Sequence, residues 1–366
     1  MTKTTMNTAK KILVKIGSNV LTLASGLPDK NRIAHIVSQV AELKKAGIQI
    51  VLVSSGAVAA GRSIANINCT DSISKRQALA SIGQIELMRI YRDEFLKHDL
   101  LCSQVLVTKD SFRTRQHYLN VKNCINALLR NNITPIINEN DVVSITELMF
   151  TDNDELSGLV ASMISAESLL LLSNVDGIFT AHPNEPGAEL IKEFIEEEVD
   201  LKDAVSDTKS EFGRGGMFTK VNTAKKIAAL GIDVFIGNGT KDNIIASLLK
   251  KETGTYFKAD THTTTPVKKW IAQAGDYSEA YIVINDGAKN ALLSSNASSL
   301  LPVGVIEIEG TFEQGDVISI VDEKKQQIGL GKVAYNSEEA KSYIGEREHS
   351  ALVHYNYLYL EPSTDS

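Results

Sequence analysis

The sequence predicts an α/β protein, a mainly parallel sheet sandwiched by helices, with a small β-rich domain at its C-terminal side. Three observations carry this prediction. Short runs of Val, Ile and Leu recur up to about residue 236 and are apolar on both faces, as strands of a parallel sheet covered by helices should be. Segments with apolar residues at helical spacing lie between them, and that alternation is the pattern of a parallel α/β sheet. After about residue 238 the rhythm changes to short β-like runs separated by turn residues.

In chain order, the strand candidates of the first part are Lys11 to Ile16, Ile48 to Val53, Leu101 to Val107, Ile133 to Ile137, Ser168 to Leu172 and Ile232 to Ile236. The first long helix candidate aligns Ile33, Ile36, Val37, Val40 and Leu43 and stops at Lys44-Lys45-Ala46-Gly47. Basic residues there offset the negative end of the helix dipole, and Gly accepts the left-handed cap. An apolar helix is expected over Leu156 to Ile164 and an amphipathic one over Val221 to Leu230. In the last part, Tyr281 to Ile284, Gly304 to Ile308 and Asp316 to Val321 read as strands. Turns are expected at Asp286-Gly287, Glu309-Gly310 and Gln314-Gly315. The expected division is residues 1–260 for the α/β domain, 261–277 for a linker, 278–356 for the β-rich domain and 357–366 for a tail. Trp270 either packs at the junction or serves as an ordinary surface anchor.

Composition removes several classes of function. At 366 residues the chain exceeds what one hydrophobic core usually serves, and 43% apolar with 23% charged residues is the balance of a globular enzyme. A formal charge of −7 opposes a main task of coating nucleic acid or an anionic membrane. Cys69, Cys102 and Cys124 are far apart and lack C-x-x-C pairing, so neither a disulfide framework nor a zinc site is expected. The seven histidines show no metal spacing. Lys15 interrupts the apolar run Ile12-Leu13-Val14, no stretch approaches the roughly 18 residues of a bilayer span, and a cytoplasmic location is expected.

Five segments can carry chemistry. Lys15-Ile16-Gly17-Ser18-Asn19 ends the first strand, where ligands of open α/β sheets bind. Gly17 lets the backbone approach a phosphate and Lys15 can neutralise one, although a Lys late in a strand can equally be a snorkelling edge residue. Val53 to Gly61 holds only small residues, leaving Ser54, Ser55 and backbone N–H groups free for an anion, or else marking a turn too tight for bulk. Asn138-Glu139-Asn140-Asp141 follows the fourth strand and can grip an amino acid, a carboxylate on its ammonium and an Asn amide on its carboxylate; a helix cap is the other use. Thr151-Asp152-Asn153-Asp154 can hold Mg²⁺, orient lysines, or simply start a helix. In Gly213 to Lys220, glycines next to a helix N-terminus form an anion nest, and Lys220 adds a full charge. The absence of G-x-x-x-x-G-K-[ST], G-x-G-x-x-G and G-x-S-x-G disfavours Walker NTPases, dinucleotide oxidoreductases and serine hydrolases, leaving phosphate handling.

Taken together and in order, V-K-I-G-S-N, V-S-S-G-A-V-A-A-G, P-I-I-N-E-N-D, D-N-D-E-L-S, L-L-L-L-S-N-V-D-G-I-F-T and G-G-M-F-T-K resemble the amino-acid kinase family, and specifically its glutamate-phosphorylating members. The resemblance runs from about Lys11 to at least Tyr357, and S-S-L-L-P-V-G with the G-D-V-I turn resembles the PUA domain. It implies an amino-acid kinase fold and transfer of the ATP γ-phosphate, with Mg²⁺ bridging the phosphates, to the side-chain carboxylate of L-glutamate, the first step of proline biosynthesis. Other acceptors within that fold are N-acetylglutamate, aspartate, carbamate and UMP; an RNA-binding PUA protein with a degenerate kinase domain is the alternative from another class. By resemblance, Lys15 and Lys220 cradle the transferring group and Asp154 orients them. Ser55, Asn138, Asp141, Asp152 and Asn153 lie on the glutamate side. Lys15, Gly17, Ser173, Asn174, Arg214, Gly215, Gly216, Met217, Phe218, Thr219 and Lys220 lie on the ATP side, and no protein ligand to the metal is assigned. The family often has Thr-Asp where this chain has Ser173-Asn174, which removes a negative charge from the nucleotide side. The resemblance further implies a homo-oligomer, dimer or tetramer, and feedback inhibition by proline. RNA is not expected as a partner, because residues 278–356 carry twelve Asp and Glu against six Lys and Arg.

Overall fold

The computed structural model describes residues 11–65, 73–113, 115–143, 153–181, 185–195, 217–261, 265–274, 280–294 and 298–360. The chain forms two compact units, Met1–Thr108 with Lys122–Thr263, and Lys109–Val121 with Thr264–Ser366.

The first unit is built on seven strands: β1 (Lys11–Ile16), β2 (Gln49–Ser54), β3 (Cys102–Val107), β4 (Thr134–Glu139), β5 (Ser168–Ser173), β6 (Asp233–Asn238) and β7 (Thr255–Phe257). The six strands expected from sequence all form, their limits moved by no more than two residues. The order is β3-β4-β2-β1-β5-β6-β7, all pairs parallel except the antiparallel β6–β7 edge. In β4 and β5 every residue is buried, which explains the continuous apolar run Leu169–Leu172 in β5, while β4 also buries Thr134, Asn138 and Glu139. β1 is the switch point, with β2 on one side and β5 on the other, so Lys15 lies opposite both Val53 and Leu171. A crevice opens at the carboxyl ends of strands at such a point.

Helix Lys30–Lys45 ends as expected, with Gly47 left-handed at φ +84°. Helices Ala57–Arg62 and Ile73–Leu96 pack backbone against backbone: a Cβ at Gly61 would lie 2.0 Å from Leu79 O, and one at Gly83 1.8 Å from Ala57 O. Close packing is thus one reason for the small residues after β2. Helix Met217–Ala229 begins four residues before the expected start at Val221, so Lys220 belongs to its first turn. Helix Asn153–Ile164 likewise starts before Leu156, with Asp154 and Glu155 at the N-terminal end, where the dipole favours acids.

The second unit carries β8 (Tyr281–Ile284), β9 (Val305–Glu309), β10 (Val317–Val321), β11 (Gln327–Val333) and β12 (Val353–Leu360) in the order β12-β11-β10-β8-β9. Gly310 at φ +79° and Gly315 at φ +98° occupy turns that few other residues enter without strain. Asp286-Gly287 is not a turn. These residues open helix Asp286–Leu293, because the Asn285 side chain accepts from Ala288 N at 2.8 Å and caps it. Trp270, on helix Pro266–Ala274, is 1% exposed rather than a surface anchor. Within this unit its Nε1 donates to Phe112 O at 3.1 Å, and the Arg115 guanidinium lies 5.2 Å from its ring.

Candidate active site

Lys15 is the last but one residue of β1 and 5% exposed. Its Nζ lies 2.5 Å from Asp154 Oδ1, while Lys220 Nζ reaches Oδ2 of the same carboxylate at 2.9 Å. Burial alone would raise the Asp154 pKa, but Lys15 and then Lys220 outweigh it and hold the carboxyl below its ordinary value. Two ammonium groups thus converge on one buried carboxylate, an arrangement that suits a phosphoryl group. Gly17 donates its N–H to Leu172 O at 3.0 Å. A Cβ there would stand 3.2 Å from that oxygen and 3.6 Å from Lys15 Nζ, so glycine leaves the ammonium approachable.

A polar cluster sits next to this charge centre. Asn153, adjacent to Asp154 in the chain, donates from Nδ2 to Ser55 Oγ at 2.8 Å and to Asn138 Oδ1 at 3.2 Å. Ser55 directly after β2, Asn138 in β4 and Asn153 at the helix N-terminus are thereby brought together. Asp141 follows β4 and stands 4.0 Å from the Arg76 guanidinium. Below the cluster, the hydroxyls of Ser54 and Tyr91 meet at 2.9 Å in the core, and burial pushes the Tyr91 phenol well up.

On the other side of β1, Ser173 is buried and Asn174 exposed, with Ser173 Oγ donating to Asn174 Oδ1 at 3.4 Å. Two residues further, Asp176 accepts from Lys241 Nζ at 2.7 Å and from Asn238 Nδ2 at 2.8 Å, and these bonds hold its carboxyl below the ordinary value. Asp176 is thus a carboxylate beyond the end of β5, paired with Lys241. Met217 and Thr219 are half-buried in the helix that carries Lys220, and Phe218 is 55% exposed. Asp152, Arg214, Gly215 and Gly216 lie outside the described residues.

Sequence reasoning missed Arg76, Gln84, Tyr91, Asp176, Asn238 and Lys241. Asp176 stood inside a quoted motif, and Asn238 ends β6 with Lys241 three residues beyond, so strand ends were the available signal. The helix residues had none. Among the described residues there is no group of three or more His, Cys, Asp or Glu placed to hold a metal, and no helix long and apolar enough to cross a membrane.

Comparison with known proteins agrees with this layout. Residues 10–238 match the model of the amino acid kinase family and residues 280–354 that of the PUA domain. Glutamate 5-kinase of Bacteroides thetaiotaomicron is 46% identical over 355 residues, which cover 96% of this chain and 98% of that protein. Glutamate 5-kinase of Chlorobaculum tepidum is 44% identical over 357 residues, with coverage of 96% and 98%. Glutamate 5-kinase 2 of Bacillus licheniformis is 38% identical over 340 residues, with coverage of 91% and 90%. The family model spans Lys15, the polar cluster, Asp154 and Lys220, and the chain belongs to the amino acid kinase family.

Proposed function

We propose that this chain transfers the γ-phosphoryl group of ATP to the side-chain carboxylate of L-glutamate, giving L-glutamyl 5-phosphate and ADP. The observation that carries the proposal is the pair of buried lysines held on separate oxygens of Asp154 at the switch point of the sheet. A carboxylate oxygen of glutamate forms the new bond to phosphorus, the bond from phosphorus to the bridging oxygen of ATP breaks, and the electron pair leaves with ADP. The nucleophile is already ionised at neutral pH, so no general base is needed. Lys15 and Lys220 offset the negative charge on the group in flight, and Asp154 keeps their chains extended toward it.

On the acceptor side, Ser55, Asn138 and Asn153 present hydroxyl and amide groups to glutamate, while Asp141 pairs with its ammonium, a contact that an acylated amine does not offer. On the donor side, Ser173, Asn174 and residues 214–220 flank ATP. Mg²⁺ bound with ATP would supply charge neutralisation; no described residue is assigned to hold it, since both oxygens of Asp154 are engaged by lysines.

The proposed domains are a kinase domain over residues 1–260 and a PUA-like domain over residues 278–356; the compact units divide differently, since Lys109–Val121 groups with the C-terminal unit. The PUA-like domain is a structural or regulatory attachment, since its excess of acids opposes a phosphate-rich ligand. Tight retention of RNA by the full chain on a filter would overturn that role. A cytoplasmic homo-oligomer inhibited by proline is the remainder of the proposal, supported by the family resemblance.

The test is ATP turnover by purified protein with Mg²⁺ and L-glutamate, the acyl phosphate being trapped with hydroxylamine. N-acetylglutamate, aspartate and carbamate serve as competing acceptors. Hydroxamate from glutamate alone is expected; turnover with another acceptor and none with glutamate would replace the substrate and keep the fold.

A further inference from the structure

The amide of Asn138 has a fixed polarity. Its Oδ1 accepts from Glu139 N at 2.9 Å, a group that can only donate, and from Asn153 Nδ2 at 3.2 Å. Its Nδ2 is therefore turned the other way, where it donates to Gln84 Oε1 at 3.0 Å. One amide hydrogen is spent on Gln84, and the second is left to donate to a carboxylate.

Gln84 reaches Asn138 across 54 residues because of its neighbour. Gly83 brings helix Ile73–Leu96 so close to Ala57 O that no side chain fits between them. The same helix sets Arg76 beside Asp141 and donates from Gln77 Nε2 to Val142 O at 2.9 Å. Three of its side chains thus touch the end of β4 and the residues after it, the stretch that carries Asn138 and Asp141.

From this geometry we infer that Gln84 is a positioning residue for acceptor recognition: it holds the Asn138 amide with its N–H side open to the carboxylate of an incoming amino acid. The inference rests on the proposed use of Asn138 for glutamate. Without the Gln84 acceptor, the amide swings on a single anchored end, and recognition of the acceptor weakens while Lys15, Asp154 and Lys220 keep their geometry.

The experiment compares wild type, Gln84→Leu, Gln84→Met, Asn138→Ala and the Gln84→Leu/Asn138→Ala double variant, each first checked for an unchanged unfolding midpoint. Gln84→Leu and Gln84→Met are expected to raise KM for glutamate about tenfold, as loss of one hydrogen bond implies. Their KM for ATP and their kcat should stay within about twofold of wild type. In the Asn138→Ala background, Gln84→Leu should add less than about a twofold further change, because its effect passes through Asn138. Wild type inactive on glutamate would remove the underlying function. Active wild type with unchanged glutamate KM in both Gln84 variants, or full additivity in the double variant, would overturn the role of Gln84 and leave the function standing. The Met variant decides the matter if the Leu variant does not fold.

Discussion

Lys15 Nζ lies 2.5 Å from Asp154 Oδ1, and the two side chains are only 6% and 1% exposed. Removing one member of a buried pair costs more than the pair itself contributes, since the other charge stays behind without water. Asp154→Asn removes the carboxylate that both ammonium groups share. It is expected to lower kcat at least about 100-fold and to destabilise the protein by about 3 kcal/mol, read by turnover and by urea unfolding.

Lys220 has a different place in the same centre. It enters from the first turn of its helix and is 9% exposed, so it can be truncated with less damage to the sheet. Lys220→Met is expected to fold and to lose about 100- to 1,000-fold in kcat, the usual cost of deleting one group aimed at developing charge. A folded variant with near-full turnover would remove Lys220 from the chemistry.

The depressed Asp154 pKa makes a statement about acid. A carboxyl whose folded value lies below its ordinary 3.8 contributes stability that is complete above that value and is lost as pH falls through the folded one. Stability of the wild type should therefore fall more steeply with acidification below about pH 4 than stability of Asp154→Asn. Urea midpoints from about pH 2 to pH 6 give the comparison, and parallel curves would contradict it. Other depressed acids, such as Asp93 and Asp176, are common to both proteins and cancel.

Asp141→Ala should act on binding more than on chemistry. Its carboxylate lies 4.0 Å from the Arg76 guanidinium. Loss of a charge-assisted contact to the substrate ammonium is expected to raise KM for glutamate about 10- to 100-fold with a smaller change in kcat. Steady-state kinetics with glutamate varied at saturating ATP separates the two.

Gly83→Ala and Gly47→Ala make a contrast in stability. At Gly83 an added Cβ meets the Ala57 carbonyl oxygen at 1.8 Å, backbone against backbone, which no rotamer change relieves. At Gly47 the φ of +84° is the only obstacle, and nothing lies within 4 Å. The expected costs are about 3 kcal/mol for the first and about 1–2 kcal/mol for the second by thermal unfolding. Equal costs would mean that the two helices can move apart freely.

Much of this arrangement was visible in the residues. Continuous apolar runs gave the parallel strands, since burial on both faces writes hydrophobicity into every position, as in Ser168–Ser173. The charge centre was carried by family motifs, not by spacing, because Lys15, Asp154 and Lys220 come from elements far apart in the chain. The start of the helix at Met217 was hidden by the preceding glycines. Yet Lys220, Ala224 and Ile227 share its buried face, and a charged residue in the apolar phase was a readable sign. Gln84 left no such sign. It lies in mid-helix, and its meaning depends on an approach that only Gly83 and Ala57 together allow. Asp286-Gly287 misled because a strong turn dipeptide was overruled by the Asn285 cap one residue earlier.

Residues Lys109–Val121 fold with Thr264–Ser366 although they come from the middle of the kinase sequence, and Trp270 is bonded to Phe112 among them. The C-terminal unit is therefore not one continuous stretch of chain. A graft of it onto another kinase must bring two separate stretches of chain, and a stop codon near residue 260 strands Phe112 without its tryptophan. Cutting the chain at one point between the two stretches therefore divides the second unit.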